Sequence, residues 1–363
     1  MGGVCKFQFK NLTVISEKID IRTLAFEDVK KAVTALNEPA FRAKQVYEWI
    51  WQKSARSFDE MTNISKSLRE KLSEKYEFRP AKILTQQKSK DGTIKIAFQL
   101  WDDNIIEGVL IPTASRMTAC VSSQVGCSLS CKFCATGYLE RQRNLDPGEI
   151  YDQVVLISEL AIKHHNIPLS NIVYMGMGEP LLNYANVMRS IDHITRPEGL
   201  GMSPQRITLS TAGITKMIKR LGDEKVRFNL ALSLHAANDE RRSSIMPIND
   251  TNNLDMLVEA LNYFYEKTGT RVTLEYCVIN DTNDHEQEAL ELAQFARRVK
   301  CKINLIEYNP IQFADYKASS SEKIEKFAAV LEQQKLIVNI RRSRGKDIDA
   351  ACGQLANKQE QNP

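Results

Sequence analysis

The chain has no apolar run near the roughly 20 residues that a membrane-spanning helix needs, which excludes an integral helical membrane protein. Its opening, Met1-Gly2-Gly3-Val4-Cys5-Lys6, lacks the apolar core of a signal peptide. Lys6 also stands where a myristoylation site carries Ser or Thr. Eight cysteines in 363 residues make no secreted disulfide framework, and three of them crowd into one short stretch. No sign of charge dominates, since 49 Lys and Arg face 45 Asp and Glu. These absences predict a soluble cytosolic protein with functional cysteines. Length and ordinary globular composition suggest two domains.

The distribution of charge carries more than its sum. Residues 1–99 hold 19 basic and 12 acidic side chains, whereas the remainder holds 30 and 33. A basic first quarter beside a slightly acidic body fits an appended module that meets a polyanion. A solvated helical surface fits the charge equally well.

Between residues 24 and 76 the apolar pattern is helical and broken at Asn37-Glu38-Pro39, which predicts a small helical bundle. This module is placed at 22–90, with Trp49, Ile50 and Trp51 in its core and rim. Lys66, Arg69, Lys71 and Lys75 recur on one predicted helix, either facing nucleic acid or facing water. After Pro80 the period becomes two. Ile94, Ile96, Phe98 and Leu100 alternate, Asp102-Asp103-Asn104 turns, and 105–111 returns, giving a β-hairpin within 91–116. Glu107 falls inside the return strand, as the solvent face of a half-exposed strand or as a catalytic carboxylate.

From Met117 strands and helices alternate. Predicted strands are 118–123, 172–175, 207–210, 228–234, 272–278 and 303–308. One intervening helix opens on Asp146-Pro147-Gly148-Glu149, an N-cap with Pro behind it and Glu three residues on. A late helix puts Ile324, Phe327, Ala328 and Leu331 on one face. Alternation of this kind implies a parallel sheet, open or barrel-like. Six strands are too few for an eightfold barrel, so the expected architecture is α/β, a partial (β/α)6 barrel over 117–345. Residues 346–363 form a C-terminal segment whose polar tail after Leu355 is expected to be disordered.

The sharpest local feature is Gly126-Cys127-Ser128-Leu129-Ser130-Cys131-Lys132-Phe133-Cys134, on the loop after the first barrel strand. Three thiolates spaced CxxxCxxC can converge on one metal centre. Soft sulfur ligands select zinc, copper(I) or an iron–sulfur cluster. Structural zinc takes four protein ligands, yet no further Cys or His follows at short spacing. Three ligands on four irons leave one iron open to a substrate.

CxxxCxxC with Phe133 before the last cysteine resembles the radical-SAM superfamily, and Tyr174-Met175-Gly176-Met177-Gly178-Glu179-Pro180 is similar to its GGEP-like motif. Residues 120–137 and 344–355 resemble, nearly throughout, the signatures of the RlmN/Cfr family of RNA adenosine methyltransferases. The resemblance runs from about residue 41 to 355 and takes in the helical module. It implies a 4Fe–4S cluster held by Cys127, Cys131 and Cys134, with S-adenosylmethionine on the open iron and two molecules of it consumed per turnover. Cys352 aligns with the thiol that carries the methyl group, and Glu107 with the proton acceptor. Cys120 aligns with the thiol that releases the product and leaves a transient disulfide to Cys352. Cofactor contacts fall on Gly178, Glu179, Ser210, Ser233, Leu234, His235 and Asn309. The implied substrate is carbon 2 of an adenosine in protein-poor large-subunit ribosomal RNA, extended in some members to an adenosine of the tRNA anticodon loop. Flavodoxin or ferredoxin is the implied reductant, and a cytoplasmic monomer is expected. The basic residues Arg341, Arg342, Arg344 and Lys346 would favour the Cys352 thiolate. Two rivals stand beside this reading: methylation at carbon 8 of the same base, and a non-catalytic RNA-binding protein with a zinc-bound cysteine cluster.

Overall fold

The computed structural model describes residues 18–356, so the N-terminal leader and the polar tail beyond residue 356 lie outside the described residues. The described chain divides into two compact units, one ending at Arg79 and one beginning at Pro80. Among the described residues, no helix is long and apolar enough to cross a membrane.

The first unit is the expected helical module. Helices α1 (Phe26–Ala35), α2 (Phe41–Trp51) and α3 (Lys66–Lys75) are joined by a short parallel pair, β1 (Ile19–Asp20) with β2 (Tyr76–Glu77). Val29, Val33, Val46, Ile50, Leu68 and Leu72 are buried, and Trp51 is the largest side chain enclosed with them. Trp49 stays at the rim and donates its ring N–H to Asn63. Ser65 caps α3 by accepting the Leu68 N–H at 3.3 Å. A buried Arg22–Asp20 pair at 2.9 Å ties down the start of the unit.

The second unit is built on one ten-stranded sheet. Strands β3 (Lys82–Lys88), β4 (Ile94–Gln99), β5 (Ile105–Pro112) and β6 (Met117–Cys120) run as an antiparallel meander. A small ribbon of β7 (Gln124–Val125) and β8 (Arg143–Asn144) stands apart from the sheet. Beyond β6 every neighbour is parallel: β9 (Asn171–Tyr174), β10 (Ile207–Thr211), β11 (Asn229–Ser233), β12 (Val272–Val278), β13 (Cys301–Glu307) and β14 (Val338–Arg341). Strands β6 and β9–β13 are the six of the partial (β/α)6 barrel.

Two strands add to the expected set. β3 extends the hairpin into a meander, so residues 82–88 join the sheet although the sequence places them with the helices. β14 adds a seventh parallel strand. Both lie at sheet edges, where few side chains are enclosed and the apolar alternation is weak.

Helices α4 (Pro147–His165), α5 (Tyr184–Thr195), α6 (Thr215–Asp223), α7 (Asp239–Ile245), α8 (Leu254–Thr268), α9 (Glu286–Arg297) and α10 (Ser321–Gln333) link the parallel strands. α4 begins with the expected capping box between Asp146 and Glu149. α10 buries Ile324, Phe327, Ala328 and Leu331.

Candidate active site

The cysteine loop leaves the sheet after β6, and the β7–β8 ribbon closes its base. Gly126 must be glycine there: its φ is +73°, and a Cβ would come within 2.2 Å of the Glu140 carbonyl oxygen. Inside the loop the Cys134 N–H donates to the Cys131 carbonyl at 3.2 Å, and the Lys132 N–H reaches the Ile245 carbonyl at 3.0 Å. Cys127, Cys131 and Cys134 line one cavity at the ends of the parallel strands. Burial pushes the Cys127 thiol up to about 11 and raises the other two, with the neighbouring thiols adding to the effect at Cys131. Three thiols that share one cavity and resist ionisation alone suit a soft cationic centre that would hold all three as thiolates. The loop itself supplies three thiols, the number that a cluster with one open position takes, and Cys277, Cys352 and His235 line the same cavity.

The strand ends supply the rest of the cavity wall. After β9, Gly178 has φ +94°, and a Cβ there would lie 2.5 Å from the Gln124 Cβ. The next residue is held firmly: the Glu179 N–H donates to Gln124 Oε1 at 2.9 Å, and its carboxylate accepts the N–H groups of Leu181 at 3.0 Å and Ala212 at 2.7 Å. The hydroxyls of Ser210 and Ser233 are 3.3 Å apart.

Beyond β11 the chain turns sharply at His235, which has φ +56°. The N–H groups of Leu234 and His235 donate to the Glu275 carbonyl at 3.0 and 3.3 Å. His235 Nδ1 accepts the Cys277 N–H at 2.9 Å, which leaves the ring proton on Nε2. Burial, with the Arg242 charge, lowers its pKa to about 3, so the ring is neutral.

The segment bearing Cys352 folds back over this mouth. The Ala135 N–H donates to the Gly353 carbonyl at 2.7 Å, and Thr136 Oγ1 donates to the Leu355 carbonyl at 2.8 Å. Asn309 Nδ2 reaches the Cys352 carbonyl at 3.3 Å. Upstream, Asp347 accepts the Ser89 hydroxyl at 2.6 Å, and the Gly345 N–H donates to Asp91 at 3.0 Å. Cys352 is thereby brought to the cavity of the three loop cysteines.

Not every expected residue lines that cavity. Gly178, Glu179, Ser210, Ser233 and His235 do; Leu234 and Asn309 act behind it through the bonds just described. Cys120 is buried at the end of β6, its thiol pushed up to about 12 by burial and then by the charge of Cys352, against the pull of Arg341. The two thiols are thus within electrostatic reach, and both are free. Glu107 is enclosed, which removes its reading as a solvent-facing strand residue. It lies 2.9 Å from Lys95 Nζ and accepts the Ala356 N–H at 2.9 Å.

The expected basic field around Cys352 is also reduced. Arg342 and Lys346 are spent on Glu307 at 2.8 and 2.7 Å. The surrounding protein raises the Cys352 thiol, with Arg341 opposing. In the helical unit, Arg69 is occupied by the Asp59 carbonyl at 2.9 Å, whereas Lys66 and Lys75 are exposed.

Arg242 is the largest omission of the sequence reading. Within Asn238-Asp239-Glu240-Arg241-Arg242 it looks like a surface helix residue, yet it is fully buried. Its guanidinium donates to the carbonyls of Leu234 at 3.1 Å and Ala212 at 2.7 Å and to Asn249 Oδ1 at 2.8 Å. It therefore ties together the loops that follow β10 and β11. Lys95 and Glu275 were missed as well, although a charged residue inside an apolar strand is the same signal that drew attention to Glu107.

Residues 19–78 match the family model described as the ribosomal RNA large subunit methyltransferase N-terminal domain, and residues 121–293 match the radical SAM superfamily. The probable dual-specificity RNA methyltransferase RlmN of Cytophaga hutchinsonii is 60% identical over 339 residues, 93% of each chain. The dual-specificity RNA methyltransferase RlmN of Nitratidesulfovibrio vulgaris is 46% identical over 344 residues, covering 93% of this chain and 94% of its own. The crystal structure of a radical SAM methyltransferase from Sphaerobacter thermophilus superposes with a TM-score of 0.87 at 39% identity, over 93% of this chain and 99% of that one. By these matches the chain belongs to the RlmN family of radical SAM RNA methyltransferases.

Proposed function

We propose that the protein methylates carbon 2 of an adenosine in large-subunit ribosomal RNA, and of an adenosine in the tRNA anticodon loop, through a methyl group carried on Cys352. The observation that carries this reading is the docking of the Cys352 segment onto the cysteine loop, through the 2.7 Å bond from the Ala135 N–H to the Gly353 carbonyl. It sets the Cys352 thiol beside three candidate cluster ligands in one cavity, which Cys277 also lines.

Cys127, Cys131 and Cys134 would hold a 4Fe–4S cluster, with S-adenosylmethionine on the iron that no side chain claims. When bound and reduced, that pair supplies a 5′-deoxyadenosyl radical. Cys352 presents the methyl carbon to the base. A hydrogen atom is lost from the Cys352 methyl group, and after the carbon–carbon bond forms Glu107 accepts the proton lost from carbon 2, while the adduct's unpaired electron would return to the cluster that supplied it. The Cys120 thiolate then attacks the Cys352 sulfur; a sulfur–sulfur bond forms, the sulfur–carbon bond breaks, and its electrons leave with the product carbon, which takes up a proton. Two S-adenosylmethionine molecules are used per turnover, one for the methyl group and one for the radical.

The target adenine must leave its stack to reach this mouth. The helical unit, with Lys66 and Lys75 exposed, would grip folded RNA through phosphates and shape. A flavodoxin or ferredoxin fits the need for a one-electron reductant, and the protein is read as a cytoplasmic monomer.

Anaerobic reconstitution with labelled S-adenosylmethionine and bare large-subunit RNA, followed by nucleoside analysis, tests the reading. Labelled 2-methyladenosine is expected. Label in 8-methyladenosine instead, or a colourless protein that binds zinc and transfers nothing, would overturn it.

A further inference from the structure

Across four neighbouring parallel strands the sheet carries a row of polar side chains at one level. Ser233 on β11 stands opposite Glu275 on β12, Glu275 opposite Asn304 on β13, and Asn304 opposite Asn339 on β14. Register partners in a parallel sheet share a face. Ser210 on β10, in register with Ala231 two residues before Ser233, joins the row through its 3.3 Å contact with the Ser233 hydroxyl.

Hydrogen bonds along the row run in one direction, from the exposed sheet edge inward. Asn339 Nδ2 donates to Asn304 Oδ1 at 3.3 Å, and Asn304 Nδ2 donates to Glu275 Oε1 at 2.9 Å. The relay ends on a carboxylate with one oxygen satisfied. The other, Oε2, is shielded from solvent and has no hydrogen-bond partner. Glu275 is only 3% exposed, and it lines the same cavity as Ser210, Ser233 and Cys352.

A buried carboxylate oxygen without a donor is costly unless something arrives to donate to it. Burial pushes the Glu275 carboxyl above its ordinary range, and both Arg341 and the Asn304 hydrogen bond pull the other way. A relay that delivers a donor to one oxygen and leaves the second open suits a ligand that brings its own hydroxyls. Two serine hydroxyls lining the same cavity can share the contacts of a vicinal diol, as on a ribose.

We propose that Glu275 is a ligand-binding residue whose free Oε2 accepts a ribose hydroxyl of the nucleoside cofactor flanked by Ser210 and Ser233, with Asn304 and Asn339 as positioning residues behind it. This rests on the reading of the cavity as the S-adenosylmethionine site.

The test measures binding rather than turnover. Dissociation constants are obtained by anaerobic equilibrium binding to the full-length, cluster-reconstituted protein, for S-adenosylmethionine and for its 2′-deoxy and 3′-deoxy analogues. The native protein should bind one of the two analogues about tenfold more weakly than S-adenosylmethionine, the range for a hydrogen bond to a charged acceptor. Glu275→Gln should bind S-adenosylmethionine about tenfold more weakly and lose most of its preference over that same analogue. Should Glu275→Gln fail to assemble a cluster, Asn304→Ala, which keeps the carboxylate and removes its support, should show a smaller loss of the same preference. The proposal falls if the native protein treats both analogues like S-adenosylmethionine, or if Glu275→Gln keeps the native preference. A native protein that binds no S-adenosylmethionine at all overturns the underlying reading of the cavity too, and is distinguished by that result.

Discussion

Glu107 Oε2 accepts the backbone N–H of Ala356 at 2.9 Å, so a carboxylate on β5 helps to hold the segment that carries Cys352. Its other oxygen lies 2.9 Å from Lys95 Nζ on β4, in a pair with side chains 2% and 5% exposed. One carboxyl group therefore serves a buried ion pair, a docking contact and, in the proposed reaction, the substrate proton.

Those roles separate by mutation. Glu107→Gln keeps the shape but removes the base, and methylation of RNA should fall by about 10²- to 10⁴-fold. Cys352 should still become S-methylated, which mass spectrometry of the isolated protein would show. RNA methylation within a few fold of native would refute the base assignment.

Lys95→Met leaves Glu107 buried without its counter-charge and should lower stability by about 3–5 kcal/mol, read as a fall in denaturant midpoint. The double variant Lys95→Met, Glu107→Gln should recover a large part of that loss. A double variant no more stable than Lys95→Met would argue against the pair as the source of the cost.

Cys352→Ala should abolish methylation, because the methyl group has no carrier. Cys120→Ala should halt the cycle later and trap a covalent protein–RNA adduct, seen as a shifted band in a denaturing gel. Free RNA alone with Cys120→Ala would remove Cys120 from its role as resolving thiol.

Release of the adduct should depend on pH. Burial is the main cause that pushes the Cys120 thiol up to about 12 in the free protein; the Cys352 charge that adds to it is absent once that sulfur is alkylated, and burial still leaves only a small fraction as thiolate near neutrality. Raising pH toward that value converts thiol to thiolate, and single-turnover release should quicken about tenfold per pH unit through the mildly alkaline range. A release rate flat from pH 7 to 9 would show that thiol ionisation does not limit the step.

Arg242→Met should cost about 3 kcal/mol or more, because it strips donors from the buried carbonyls of Ala212 and Leu234 and from Asn249 Oδ1. The loops bearing Ser233 and His235 lose their tie, so S-adenosylmethionine binding should weaken as well. Arg242→Met with unchanged denaturant midpoint and unchanged binding would contradict the positioning role.

Local patterns in the sequence were sufficient for much of this protein. Strand-like runs alternating with helical stretches marked the six barrel strands, Asp146-Pro147-Gly148-Glu149 marked the start of α4, and CxxxCxxC marked the cysteine loop. Each is written within about ten residues, since periodicity, capping and ligand spacing are short-range constraints. The nearness of Cys120 and Cys352 was implied by the family resemblance, whereas the tertiary structure alone decided that Glu107 is sealed by Lys95 and Ala356, that Arg242 is interior, and that Glu275 ends a relay with one oxygen free. Those relationships depend on sheet register and on where a distant segment docks, and neither is encoded by the residues adjacent in the chain.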